Sequence, residues 1–321
     1  MKIRNLFIVL AAITLFASCD KIIDTALSYR IKQVVYDNEG TSNDWKYIFT
    51  YEGEKLVKVT EYEKDADGNW VEYSKSDYSY SGENATITDY YYTNEWVIDE
   101  KYEYLIQNDL LMQELYYFYD DGDWINSSKW VYQYSGGNLT GYQSFYDYNE
   151  DGTLEEDYKG EYVYQNNKLT EYKDYEIDNS GNWQQYDREI ITYNGDKLST
   201  WTDYDLDESS NWIEMDKAEY QYSGNNISQI NYFTQNDELT QWQTDGTKTF
   251  SYDSNDYLTE EITESGRKIT YEYEEGTGNA QFFWYYPEDL VYGEPVLKIK
   301  KSDVRRKYIP YFQRFSNLLK H

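Results

Sequence analysis

The chain has 321 residues, 60 of them acidic and 29 basic, for a formal net charge of -31 and a mean hydropathy of -0.93. Tyr alone supplies 41 residues and aromatics 19% of the chain, against one Cys, one His and three Pro. This composition excludes a multi-span helical membrane protein. It excludes nucleic-acid binding through clustered Lys and Arg, a disulfide framework and a Cys/His zinc site. High net charge often means disorder, but disordered tracts lack the aromatic and β-branched residues that fill this chain.

Lys2 and Arg4 precede a mostly apolar run from Leu6 to Phe16, which at 11 residues is shorter than the ~20 needed to span a bilayer. Ala17, Ser18 and the sole Cys follow. Residues 1–18 therefore read as a secretory signal peptide. Phe16-Ala17-Ser18-Cys19 resembles a bacterial lipobox. That resemblance implies cleavage before Cys19, fatty acylation of Cys19 and a short tether over residues 19–28. More than one acyl chain on Cys19 makes a stable anchor, since each buried CH₂ contributes about 0.8 kcal/mol.

From residue 29 to 281 the chain repeats. A Tyr, a polar turn and an aliphatic residue five positions on recur as Tyr51–Leu56, Tyr134–Leu139, Tyr164–Leu169, Tyr193–Leu198 and Tyr222–Ile227. Looser copies start at Tyr80, Tyr104 and Tyr252, so successive anchors lie 29, 24, 30, 30, 29, 29 and 30 residues apart. Such a period is the mark of a repeat architecture. A second turn falls midway in each unit, as in Asp67-Gly68-Asn69-Trp70 and Ser180-Gly181-Asn182-Trp183. Gly and Asn supply the positive φ of tight hairpins. The intervening Tyr/Trp/Thr/Val/Ile segments suit strands, and Pro is absent from Asp20 to Gln281. Each unit is thus a β-hairpin. The predicted fold is all-β: an antiparallel hairpin meander of about sixteen strands, coiled or superhelical because open sheets of that size curl, with a closed barrel as the alternative. Simple alternation would put Leu169 and Tyr175 on one face and Tyr172 on the other, with Leu198, Tyr204 and Trp201 following the same rule. A membrane-spanning barrel needs an outward apolar band; Lys58, Glu61, Glu171 and Asp203 interrupt the strands and argue against one.

Tyr252-Asp253 through Leu258-Thr259 resembles the tyrosine–aspartate (YD) repeat of Rhs-type shell proteins, and the other anchors resemble it with Ser, Asn, Gln or Glu in place of Asp. The resemblance covers about residues 30–280 and implies a winding antiparallel sheet; it carries over no catalytic residue. The Tyr/Asn/Asp-rich style is similar to that of small YD-like lipoproteins of Bacteroidota. That likeness implies an outer-membrane, lipid-anchored protein of the cell envelope, with the periplasmic or surface face unassigned. Asp24-Thr25-Ala26 resembles the O-glycosylation sequon of that phylum, which makes Thr25 a modification candidate.

Residues 282–321 reverse the charge: eight basic side chains against four acidic ones, where residues 20–281 hold 19 and 56. Ser302 can cap a helix, and Val304, Tyr308, Tyr311, Phe312, Phe315, Leu318 and Leu319 fall on one helical stripe. This reads as a short C-terminal basic helical cap for the acidic sheet.

Chemistry is sparse. His321 is terminal, and no phosphate loop or nucleophile elbow occurs. With 60 carboxylates, no single acid/base pair stands out. Asp65, Asp67, Asp121 and Asp123 put oxygen donors on turns, a weak calcium alternative, but the ligand series of an EF-hand loop is lacking and turn chemistry explains them. No cofactor or metal is expected. Trp45, Trp70, Trp96, Trp124, Trp183 and Trp212 recur at the turn exit and would form a row, packing the hairpin ends or stacking on sugars. The expected function is a non-catalytic binding or scaffold module. Its partner is a protein, or alternatively a glycan held by the aromatic row; the membrane is met through the lipid anchor only, and nucleic acid is not a partner.

Overall fold

The computed structural model describes residues 29–37, 44–108, 110–149, 151–178, 180–207, 209–236 and 241–276. Cys19, Thr25 and the C-terminal segment 282–321 lie outside them. The first nine strands are β1 (Tyr29–Asp37), β2 (Trp45–Glu52), β3 (Lys55–Lys64), β4 (Trp70–Ser81), β5 (Asn84–Tyr92), β6 (Trp96–Gln107), β7 (Leu110–Asp120), β8 (Asp123–Ser135) and β9 (Asn138–Tyr146). The other nine are β10 (Glu155–Gln165), β11 (Lys168–Ile177), β12 (Trp183–Asn194), β13 (Lys197–Leu206), β14 (Trp212–Ser223), β15 (Asn226–Gln235), β16 (Trp242–Tyr252), β17 (Leu258–Ile262) and β18 (Lys268–Glu275).

Each strand pairs antiparallel with its sequence neighbours, and β18 pairs with β1 over eight register positions, from Tyr29–Glu275 to Asp37–Lys268. The hairpin meander of 18 strands therefore closes into a barrel, the alternative form of the predicted fold. Closure removes the free edges of a long sheet. Arg30 fastens the seam: its guanidinium donates to Glu274 and to the carbonyl of Gly53, each at 2.6 Å, and lies 4.1 Å from the centre of the Tyr51 ring.

The barrel has two unlike ends. Tight turns after the anchor tyrosines lie at one end, and Asn166 and Asn167 both take positive φ there (52° and 61°), the pair of left-handed residues that a two-residue hairpin needs. The turns that precede the strand-opening Trp residues, most of them longer, lie at the other. Because β1 starts and β18 ends beside the tight turns, both ends of the described chain emerge there.

The anchor Tyr explains the period. Its hydroxyl donates to the backbone carbonyl of the aliphatic residue in the preceding unit: Tyr51 to Ile31 (2.8 Å), Tyr80 to Leu56 (2.7 Å), Tyr134 to Leu111 (2.8 Å), Tyr193 to Leu169 (2.9 Å) and Tyr252 to Ile227 (2.9 Å). The ring lies over the aliphatic side chain while its polar tip is satisfied. Leu56, Ile87, Leu111 and Ile230 are fully buried on this covered face. Cover comes from neighbouring rings within one layer.

The alternation expected for Leu169, Tyr172 and Tyr175 is overturned. A register shift at Tyr164 inserts one residue after Leu169, so that Leu169 and Tyr172 both face the covered side, opposite Tyr164 and Tyr162. The same shift puts Leu198 with Trp201 and Leu139 with Tyr142. A β-bulge flips every later side chain to the other face.

Candidate functional site

The opposite, open face carries a regular belt. Lys46, Lys75, Lys101, Lys129, Lys159, Arg188 and Lys217 stand on alternate strands from β2 to β14. Each is in direct cross-strand register with a ring: Tyr62, Tyr90, Tyr117, Phe145, Tyr175, Tyr204 and Phe233 respectively. The six ammonium groups lie 3.9–4.8 Å from those ring centres, and five of them also meet the Trp that follows the next long turn. Lys46 reaches Trp70 at 4.8 Å, Lys75 Trp96 at 5.1 Å, Lys101 Trp124 and Lys159 Trp183 at 5.2 Å, and Lys217 Trp242 at 4.9 Å. From Lys75 onward each cation sits beside the first rung that joins one hairpin to the next, where the backbone ladder begins, as at Ser74–Tyr91 and Glu100–Phe118. The belt clasps hairpins together.

Five of the six predicted Trp residues (Trp70, Trp96, Trp124, Trp183 and Trp212) lie on this face and are half-buried. Trp45 does not join them: it stands opposite Tyr36 on the covered face and meets Tyr73 edge-on at 5.4 Å. Trp242 belongs to the row and was missed because its turn lacks the Gly/Asn signature. The belt cations were missed too, although they recur 29, 26, 28, 30, 29 and 29 residues apart.

Exposed large apolar side chains concentrate at the long-turn end. Val71, Tyr73, Tyr91, Tyr92, Tyr119 and Tyr148 all lie there, Tyr148 being 61% and Tyr92 47% exposed; Tyr186, Leu206 and Ile262 lie at the same end of their strands. Two of the four calcium candidates, Asp65 and Asp121, serve local turn geometry. Asp65 accepts from the backbone N–H of Asp67 (2.9 Å) and Asn69 (2.8 Å), an Asx turn, and backbone bonds hold its carboxyl below the usual carboxylate range. Asp121 takes a positive φ of 44° in a two-residue turn closed by Asp120 and Asp123. Among the described residues no group of three His, Cys, Asp or Glu is placed to hold a metal ion.

The covered face holds carboxylates under tyrosine. Glu61 accepts from Tyr47 (2.9 Å) and Ser74 (2.5 Å). Glu100 accepts from Tyr102 and Tyr116, both at 2.8 Å. Asp174 accepts from Tyr142 and Tyr172, both at 2.6 Å, and burial pushes it up to about 6. Trp201 donates to Glu189 at 3.0 Å, and burial holds Glu189 well above the usual range. Of the residues that argued against a membrane barrel, Lys58 and Glu171 lie on the open face, and Glu61 and Asp203 on the covered one. Neither face of the described wall carries an unbroken apolar band.

These features define a closed all-β meander whose open face and long-turn rim are its accessible chemistry. No protein-family model matches the sequence, and no curated protein matches it. Among solved structures it is similar to a porin-like protein from Bacteroides uniformis, with 13% identity over 78% of this chain and 97% of the other and a TM-score of 0.43. A porin-like protein from Bacteroides vulgatus shows 11% identity, 76% and 98% coverage and a TM-score of 0.40. A protein of unknown function from Bacteroides fragilis shows 16% identity over 48% of this chain and 94% of its own, with a TM-score of 0.26. With these three scores under 0.5, the barrel rests on its own strand pairing.

Proposed function

We propose that this is a non-catalytic binding module of the cell envelope, lipid-anchored through Cys19, that presents its long-turn rim to a protein partner. One observation carries the reading: the exposed Tyr, Val and Leu side chains gather at one end of the barrel. Apolar surface of that kind marks interaction sites, and Tyr is a preferred anchor of protein interfaces. The geometry of the chain supports the orientation. Tyr29 opens β1 at the tight-turn end, so a tether from Cys19 leaves the barrel there and the rim faces away from the membrane. Glu61, Glu100, Asp174 and Glu189 are engaged with tyrosine, serine and tryptophan donors of the wall, which argues against catalysis by these four.

A photo-reactive side chain at Tyr92, Tyr119 or Tyr148 is expected to trap one common partner in intact cells. The same group at Glu54 or Asn225, beside the tight turns, is expected to trap none. Equal capture from both ends would sink the proposal. Glycan capture by the Trp row is the second reading, supported by five of the six rings sharing a face. Against it, an ammonium group already covers one side of Trp70, Trp96, Trp124 and Trp183. Trp fluorescence titrated with a polysaccharide panel separates the two; a saturable change with any glycan favours the second. For the anchor, Cys19→Ser is expected to abolish labelling by a palmitate analogue, and retained labelling refutes it.

A further inference from the structure

The covered face is interrupted most sharply between β11 and β13. Its buried apolar residues form two groups, one running from Ile269 and Ile31 round to Tyr172, the other from Ile191 to Leu258. Between them, on β11 to β13, carboxylates face carboxylates. Asp174 is in register with Asp187, Asp187 with Asp205, and Glu189 with Asp203. Like charges directly opposite on one sheet face repel. The cations of these strands and of β14 are elsewhere: Lys173, Arg188 and Lys217 stand on the open face, and Lys168 and Lys197 donate to the turn carbonyls of Gly195 and Gly224. On β16 and β17, by contrast, Lys248 lies on the covered face 3.4 Å from Glu261. The clasp is also loosest here, with the Arg188 guanidinium 5.8 Å from the Tyr204 ring.

We propose that proton loss from this carboxyl cluster loosens the β12–β13 junction, making it a pH-controlled seam in the wall. At its centre the buried Oδ1 of Asp187 has no donor, and Asp203 stands diagonally across from it on the same face; a proton kept on one of the two carboxyls supplies the missing donor and removes the repulsion. The groups facing them are Tyr172, Asp174 and Glu176 on β11, Tyr186 and Glu189 on β12, Asp205 on β13 and Asp216 on β14, with Tyr142, Tyr158 and Tyr162 beyond; none is a cation. Burial first, then Asp187, Asp205 and Asp216, push Asp203 up to about 8. Opening returns a carboxyl to its ordinary range near 4. The closed seam therefore holds a proton that the open one releases. Opening becomes easier as pH rises from about 4 to about 8 and levels off above.

Amide hydrogen exchange on the full chain from pH 5 to 9, corrected for intrinsic base catalysis, tests this. Opening at β12–β13 (Asp187–Ile191 and Trp201–Asp205) is expected to rise by roughly threefold to fivefold in all between pH 5 and pH 8. Opening at β14–β15 (Ala218–Gln221 and Gln229–Tyr232), where the covered face pairs Ala218 with Tyr232 and Tyr220 with Ile230, is expected to stay level. Asp203→Asn, which keeps a donor and loses the titration, is expected to flatten the first profile. Equal pH response at the two junctions overturns the proposal, and so does an unchanged rise in Asp203→Asn. Should that variant fail to fold, the comparison of the two wild-type junctions decides alone.

Discussion

From β2 to β10 the hairpins are held on both faces by complementary partners: lysine against rings outside the cover, and glutamate under tyrosine or serine hydroxyls within it. From β11 to β13 the backbone ladder, turns and anchor tyrosines are the same, yet the covered face sets acid against acid. The difference shows that the ladder and the anchors suffice to build the wall, while the face chemistry decides how firmly, and under which conditions, two hairpins stay together. A repeat can hold one geometry and vary its strength.

The comparison breaks most visibly in the regular part. Leu111 is fully buried there, and Leu111→Ala is expected to lower stability by about 3 kcal/mol, the usual cost of a cavity in a packed core. Urea unfolding measures it; a loss below about 1 kcal/mol would mean that the ring layer does not act as a core. The anchor hydroxyl should count equally in both regions. Tyr80→Phe and Tyr193→Phe are each expected to cost about 1 kcal/mol, the net value of one hydrogen bond. Unequal losses would show that the anchors are not equivalent.

The acid-lined region should respond with the opposite sign. Asp203 has a raised folded pKa, so its contribution is favourable at low pH and is lost as pH climbs towards about 8. At pH 8, Asp203→Asn is expected to stabilise the chain by something under about 1 kcal/mol, discounted because part of the side chain meets solvent. At pH 5 it is expected to change little. Thermal melts at the two pH values check this, and destabilisation at both would remove the repulsion argument. The smallest effect belongs to the clasp. Lys101→Met is expected to cost about 0.5 kcal/mol and Arg188→Met less, in line with exposed cation–π pairs. A larger loss at Arg188 would reverse the ranking of the two junctions.

Much of this was legible beforehand. The Tyr–turn–Leu spacing announced hairpins because a second turn divides each unit of about 30 residues, and the two segments left are rich in β-favouring residues and free of Pro. The Trp row was legible in position but not in face, since Trp45 precedes the regular pattern and pairs with β1. The cation belt was legible as a period and hidden by the general abundance of charge. The Asp187–Asp203 pair was not legible, because its register depends on bulges near both ends of the strands and many other pairs looked as good.

The amino-acid sequence alone determined the class of the wall: local propensity, turn residues and the absence of Pro act within a few residues of each position and need no distant partner. Closure, the assignment of faces and the meeting of like carboxylates were decided only in three dimensions. They depend on strand twist accumulated over the whole circuit and on single-residue bulges, and no local pattern of residues encodes where such sums return to their starting strand.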